Sequence, residues 1–139
     1  MHYQEFLDRV QERAGLRSRD TAVQVTAATL ETLGERLSKT EREKLAAQLP
    51  RALQPYLFRR HSLDAFEAFS LEEFYNRVRA RTDVGYPDAV KQAQAVVAVL
   101  QEAVSPGEVK YIFSELSAFA DDYGELFGKK PQGPASPST

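Results

Sequence analysis

The sequence predicts an all-α fold of two tandem helical units packed into one bundle-like domain. Three features carry the prediction. Apolar residues recur at helical spacing along nearly every segment. Serine-x-x-glutamate signatures mark successive helix starts. The pattern of the first half returns in the second at an offset of about 67 residues. Seven or eight helices are expected, with residues 1–60 as the first unit, 61–69 as a connector, 70–127 as the second unit and 128–139 as a flexible tail.

Residues 3–14 place Tyr3, Phe6, Leu7, Val10 and Ala14 on one helical face, and Gly15 follows as a C-terminal cap. Ser18 or Asp20 then caps a long helix whose stripe is Val23, Thr26, Leu30, Leu33 and Leu37, with Ala22, Ala27 and Ala28 on its flanks. Ser38 and Glu41 form a capping box, in which the hydroxyl accepts one orphan N–H and the carboxylate reaches back to another. The helix it opens carries Leu45 and Leu49. Pro50 suits the first turn of a following helix, and Pro55 demands a kink or break within it. Ser70 with Glu73 makes a second box, ahead of Leu71, Phe74 and Val78. Pro87 and Asp88 start a long helix with Ala89, Ala93, Val96, Val97, Leu100 and Val104 inward. Ser105, Pro106 and Glu108 give the third box, leading to Val109, Ile112, Phe113 and Leu116. The tail has nothing apolar larger than alanine besides prolines, too little to offset its ordering entropy.

Residues 5–16 align with residues 73–84, pairing Glu5 with Glu73, Phe6 with Phe74, Arg9 with Arg77, Val10 with Val78 and Arg13 with Arg81. After one residue is lost, Leu33 pairs with Leu100, Ser38 with Ser105, Glu41 with Glu108 and Leu49 with Leu116. On these runs, and on LAAQLP at residues 45–50, the chain resembles the bacterial family catalogued as domain of unknown function 2267. The resemblance covers roughly residues 4–127 and implies tandem helical repeats of no established activity. The chain departs from the family pattern at Phe58, Arg59 and Arg60, has no tryptophan, and carries Ser117 where the first copy has Pro50.

Composition removes several functions. Cysteine is absent, which excludes disulfides, thiolate metal sites and a cysteine nucleophile and fits a cytoplasmic location. The N-terminal residues lack a signal-peptide core and no run approaches a membrane span. With 18 basic and 20 acidic residues, the net charge of −2 argues against a dedicated nucleic-acid binder. At 139 residues, folding buries about two thirds of the unfolded surface, so no metal or disulfide staple is required.

No catalytic or cofactor-binding constellation stands out. His61 has only Asp64 as a close carboxylate in sequence and reads as an exposed connector residue. Asp121, Asp122 and Glu125 lack calcium-loop spacing and read as a solvated helix end. No glycine-rich phosphate loop and no di-iron Glu-x-x-His signature is present. Two features remain. Arg9, Arg13, Arg77 and Arg81 form a repeated stripe that would contact an anion or an acidic partner, or else pair within the helix through Glu5 and Glu73 four residues earlier. Phe66, Phe69, Phe119 and Phe127, near unit ends, would form an apolar surface patch. The expectation is a non-enzymatic protein-interaction or scaffold module, needing no cofactor, that binds a protein partner or itself. The alternatives are a weak nucleic-acid or phosphate binder acting through the arginine stripe, and an enzyme whose site is not recognised.

Overall fold

The computed structural model describes residues 1–60, 68–118 and 121–129; within them the chain forms six α-helices, two 3₁₀-helices and no strand. Helix α1 (Tyr3–Ala14) stops where Gly15 turns left-handed at φ +65°, with the Gly15 N–H bonded to the Glu12 carbonyl. Helix α2 (Arg19–Arg36) starts at Ser18, whose hydroxyl accepts the Thr21 N–H at 3.1 Å. Helix α3 (Lys39–Gln48) starts at Ser38 in the same way. A 3₁₀-helix (Arg51–Phe58) completes the series.

The series then recurs: α4 (Leu71–Thr82) from Ser70, α5 (Tyr86–Ala103), α6 (Pro106–Ser117) from Ser105, and a second 3₁₀-helix (Asp121–Phe127). Helices α1 and α4 are both 12 residues long, and α2 and α5 are both 18. At the place of Gly15, α4 is closed by Asp83, also left-handed at φ 57°. Packing follows the same plan. In each half the long helix touches the first helix and the 3₁₀-helix of its own half. Across the halves α2 packs on α4 and α5 on α1, while α2 meets α5 and α3 meets α6.

Both long helices are therefore central rather than one-sided. In α2 the expected stripe residue Val23 is only half buried, whereas the flanking Ala22 and Ala28 are core together with Val25. Small residues admit neighbours on several sides. Buried threonine hydroxyls are satisfied by the carbonyl one turn back, Thr29 to Val25 at 2.9 Å and Thr32 to Ala28 at 2.8 Å. The break expected at Pro55 takes the form of 3₁₀ winding over all of Arg51–Phe58, because in α winding its ring would strike the carbonyl four residues earlier. Pro50, extended at ψ 140°, stands just before that helix and not in its first turn. Leu53 and Leu57 seat the segment in the core. No described helix is long and apolar enough to cross a membrane.

Candidate functional site

The arginine stripe turns inward to the opposite half. Arg9 and Arg13 on α1 fork onto Glu102 of α5, at 2.9 and 2.7 Å. Arg77 and Arg81 on α4 fork onto Glu35 of α2, at 3.4 and 2.7 Å. Each fork is thus a reciprocal tie between first and long helices of different halves. The intrahelical pairs form as well, Glu5 with Arg9 at 3.0 Å and Glu73 with Arg77 at 2.8 Å. The hydrogen bond from Arg9 holds the Glu5 carboxyl below its usual range. All four guanidiniums are engaged with carboxylates of the chain itself, so the geometry makes them a structural clasp in place of an open anion contact. The two forks differ in burial: side-chain exposure is 11–21% around Glu35 and 33–50% around Glu102. Glu35 and Glu102 were missed by sequence reasoning, although they are themselves 67 residues apart.

A second seam joins α3 and α6. Each serine cap accepts the expected N–H, Ser38 from Glu41 at 3.3 Å and Ser105 from Glu108 at 3.2 Å. At Ser38 and Ser105 the returning carboxylate bonds of the capping boxes give way to other acceptors. The Ser105 N–H goes instead to Gln48 Oε1 at 2.7 Å, and the Ser38 N–H goes to Glu115, which also accepts the Ser38 hydroxyl at 2.8 Å. At Ser70 the Glu73 carboxylate is taken by Arg77. Displaced from their boxes, Glu41 and Glu108 are buried against each other, and the Oε2 of each lacks a donor among the described residues. Burial pushes both carboxyls above the usual carboxylate range; Glu41 adds to the rise of Glu108 and Glu115 to that of Glu41, while Lys44, 3.9 Å from Glu41, opposes both and the hydrogen bond with Glu108 opposes the rise of Glu41.

The remaining sequence candidates fall as follows. Asp122 Oδ2 accepts the Leu71 N–H at 3.1 Å, capping α4, and Glu125 accepts the Tyr75 hydroxyl at 2.8 Å. Those two acidic residues are structural partners and not merely a solvated helix end. No group of three or more metal-ligating side chains occurs among the described residues. His61, Phe66 and Phe119 lie outside the described residues. Phe69 is half buried beneath Arg77, whose guanidinium carbon stands 4.0 Å from the ring centre. Phe127 is 7% exposed and meets Phe113 edge-on at 5.2 Å. The phenylalanines that can be placed are therefore not an exposed patch, because each ring has found a partner.

Phe127 instead forms one wall of a groove of about 360 Å³ between the C-terminal end of α5, the start of α6 and the second 3₁₀-helix. Val109, Phe113 and Pro106 supply the apolar lining. Gln101 crosses one end, its Nε2 donating to the Phe127 carbonyl at 3.3 Å. Lys110 and Lys129 stand exposed at the edge, with the Lys129 ammonium 4.6 Å above the Phe113 ring. The first half holds the same cleft in a filled state. At the place of Gln101 stands Gly34, against which the Leu57 backbone packs so closely that a Cβ would lie 2.0 Å from the Leu57 oxygen. At the place of Val109 stands Arg42, 1% exposed. Its guanidinium donates to the carbonyls of Gly34 and Leu37, both at 3.0 Å, and lies 6.0 Å from the centre of the Phe58 ring. One cleft is plugged and its counterpart is open.

Comparison with known proteins adds one match: a family model described as an uncharacterized conserved protein, DUF2267, covers residues 3–125. No curated protein matches the chain.

Proposed function

The chain belongs to the uncharacterized conserved protein family DUF2267, and since that membership assigns no activity, we propose from geometry that it is a protein-interaction module and not an enzyme. It works in the cytoplasm and captures a short apolar segment of a partner protein in the α5–α6 groove. One observation supports the reading above all. The cleft that Arg42 fills in the first half is left open by Val109 in the second, and its wall is aromatic. A groove of this volume, concave and lined by apolar side chains with a few polar groups, is of the kind that binds ligands.

The test borrows the plug from the other half. Val109→Arg places a guanidinium where Arg42 sits in the counterpart, with carbonyls at the end of α5 to receive it. Circular dichroism melts should show the variant as stable as the native chain. Affinity capture from lysate, run in parallel on both forms, should recover a protein on the native chain that the variant fails to hold. Equal recovery on both, with the fold intact, would refute the groove as the binding surface.

A further inference from the structure

Resting on that reading, we propose that the segment this groove accepts is acidic: apolar side chains for the Phe113–Phe127 wall, flanked by carboxylates for Lys110 and Lys129. The charge distribution carries the assignment. In a chain of net charge −2, no acidic side chain lines the groove, while two lysines do. Lys110 makes no ion pair among the described residues, in contrast to Arg9, Arg13, Arg59, Arg60, Arg77 and Arg81, which are all paired with glutamates. The position matching Lys110 in the plugged half is Glu43, so the charge at the edge is reversed where the cleft is open. Lys129 is held over the Phe113 ring, which places its ammonium beside the apolar wall. Lys130 follows directly in sequence. A cationic rim over an aromatic floor selects a carboxylate-bearing segment, giving specificity and association rate through charge and affinity through the apolar anchors. The chain's own residues 130–139 hold Lys130 and no carboxylate side chain, so charge works against that segment as occupant.

The experiment is fluorescence polarisation on the full chain. The probe is a fluorescein-labelled ten-residue peptide with a central Phe-Leu-Leu-Phe core between glutamate triplets, compared with the same core between lysine triplets. The glutamate peptide is expected to bind about tenfold or more tighter, with the gap closing as salt rises toward about 1 M, where the Debye length falls to about 3 Å. Lys110→Glu with Lys129→Glu, both at exposed positions, should reverse the preference. Val109→Arg should weaken binding of both peptides about tenfold or more. If the two peptides bind equally, or the preference survives the charge reversal, the acidic assignment is wrong while a groove closed by Val109→Arg stands. If binding is unaffected by Val109→Arg, the groove itself is the wrong site. If neither peptide binds, the acidic assignment is likewise overturned. Tighter binding to a chain ending at Lys129 would name residues 130–139 as the occupant instead.

Discussion

Replacing Gly34 by alanine sets two effects of opposite sign against each other. In the middle of an α-helix the change is favourable by about 1 kcal/mol on propensity alone. The packing opposes it, because the new Cβ would lie 2.0 Å from the Leu57 oxygen and 2.7 Å from its carbonyl carbon, against ordinary contact at 3.4–4 Å. The obstacle is backbone, so no rotamer change relieves it. The 3₁₀-helix must retreat by more than 1 Å, the difference between those distances. Leu53 and Leu57, exposed by 1% and 0%, retreat with it, and the Arg42 cap on the Gly34 carbonyl is disturbed. Overpacking on this scale costs roughly 1–3 kcal/mol and sometimes more, and the loosened leucines add to it, leaving a net loss of about 2–4 kcal/mol. For a chain of this size that is a fall in melting temperature of roughly 6–15 °C. Thermal unfolding by far-ultraviolet circular dichroism measures it. Gly107→Ala is the control, since a Cβ there meets nothing within 4 Å, and it should melt at or slightly above the native temperature. A Gly34→Ala variant as stable as the native chain would refute the close approach and with it the plugged cleft.

The two arginine forks should differ in worth despite their shared design. Glu35→Gln removes the carboxylate that Arg77 and Arg81, 21% and 15% exposed, share, leaving Arg77 its pair with Glu73, and should cost about 2 kcal/mol in urea unfolding, whereas the exposed Glu102→Gln should unfold close to native. Equal losses would show that burial does not set the value of these pairs. The Glu41–Glu108 pair makes a prediction in pH. Both folded-state values are raised, so the stabilisation is fully present below the unfolded carboxylate value and is lost as pH climbs through the folded values. Glu108→Gln, whose amide can donate to Glu41, should therefore be more stable than native at neutral pH by about 1 kcal/mol, with the advantage vanishing near pH 4. An advantage that persists unchanged in acid would count against the paired carboxyls.

What the sequence discloses about this fold is what acts over one or two turns. Gly15, Ser18, Ser38, Ser70 and Ser105 end or begin helices where their chemistry says they must, because a cap is a local event. The second half of the capping boxes at Ser38 and Ser105 fails for a non-local reason. Glu115 and Gln48 arrive from the facing helix and take the serine N–H groups first, so the displaced carboxyls meet on the seam. The arginine stripe and its intrahelical partners Glu5 and Glu73 were visible as a pattern, yet its partners on the opposite half were not. A glutamate on another helix carries no spacing that announces it, and only the shared offset of Glu35 and Glu102 hinted at the pairing. Phe127 was noticed for the wrong property, since its burial creates the groove wall that an exposed ring would not.

The groove itself follows from two positions at which the halves differ. Any side chain at position 34 is incompatible with the spacing at which the first 3₁₀-helix lies on α2, since even a methyl carbon would meet the Leu57 carbonyl. Gln101 occupies the matching position on α5, so the second 3₁₀-helix must stand further off, and the glutamine amide spans the gap to the Phe127 carbonyl. The wider cleft then needs a longer plug than the narrow one, and it receives a shorter residue, Val109 where the first half has Arg42. Two changes that each enlarge the same cleft leave space that Phe113 lines without closing. Val109→Arg alone should accordingly close the groove less tightly than Val109→Arg with Gln101→Gly, which restores both the plug and the close approach. If the double variant binds the acidic probe as well as the single one, or better, the side chain at position 101 is not what holds the cleft open.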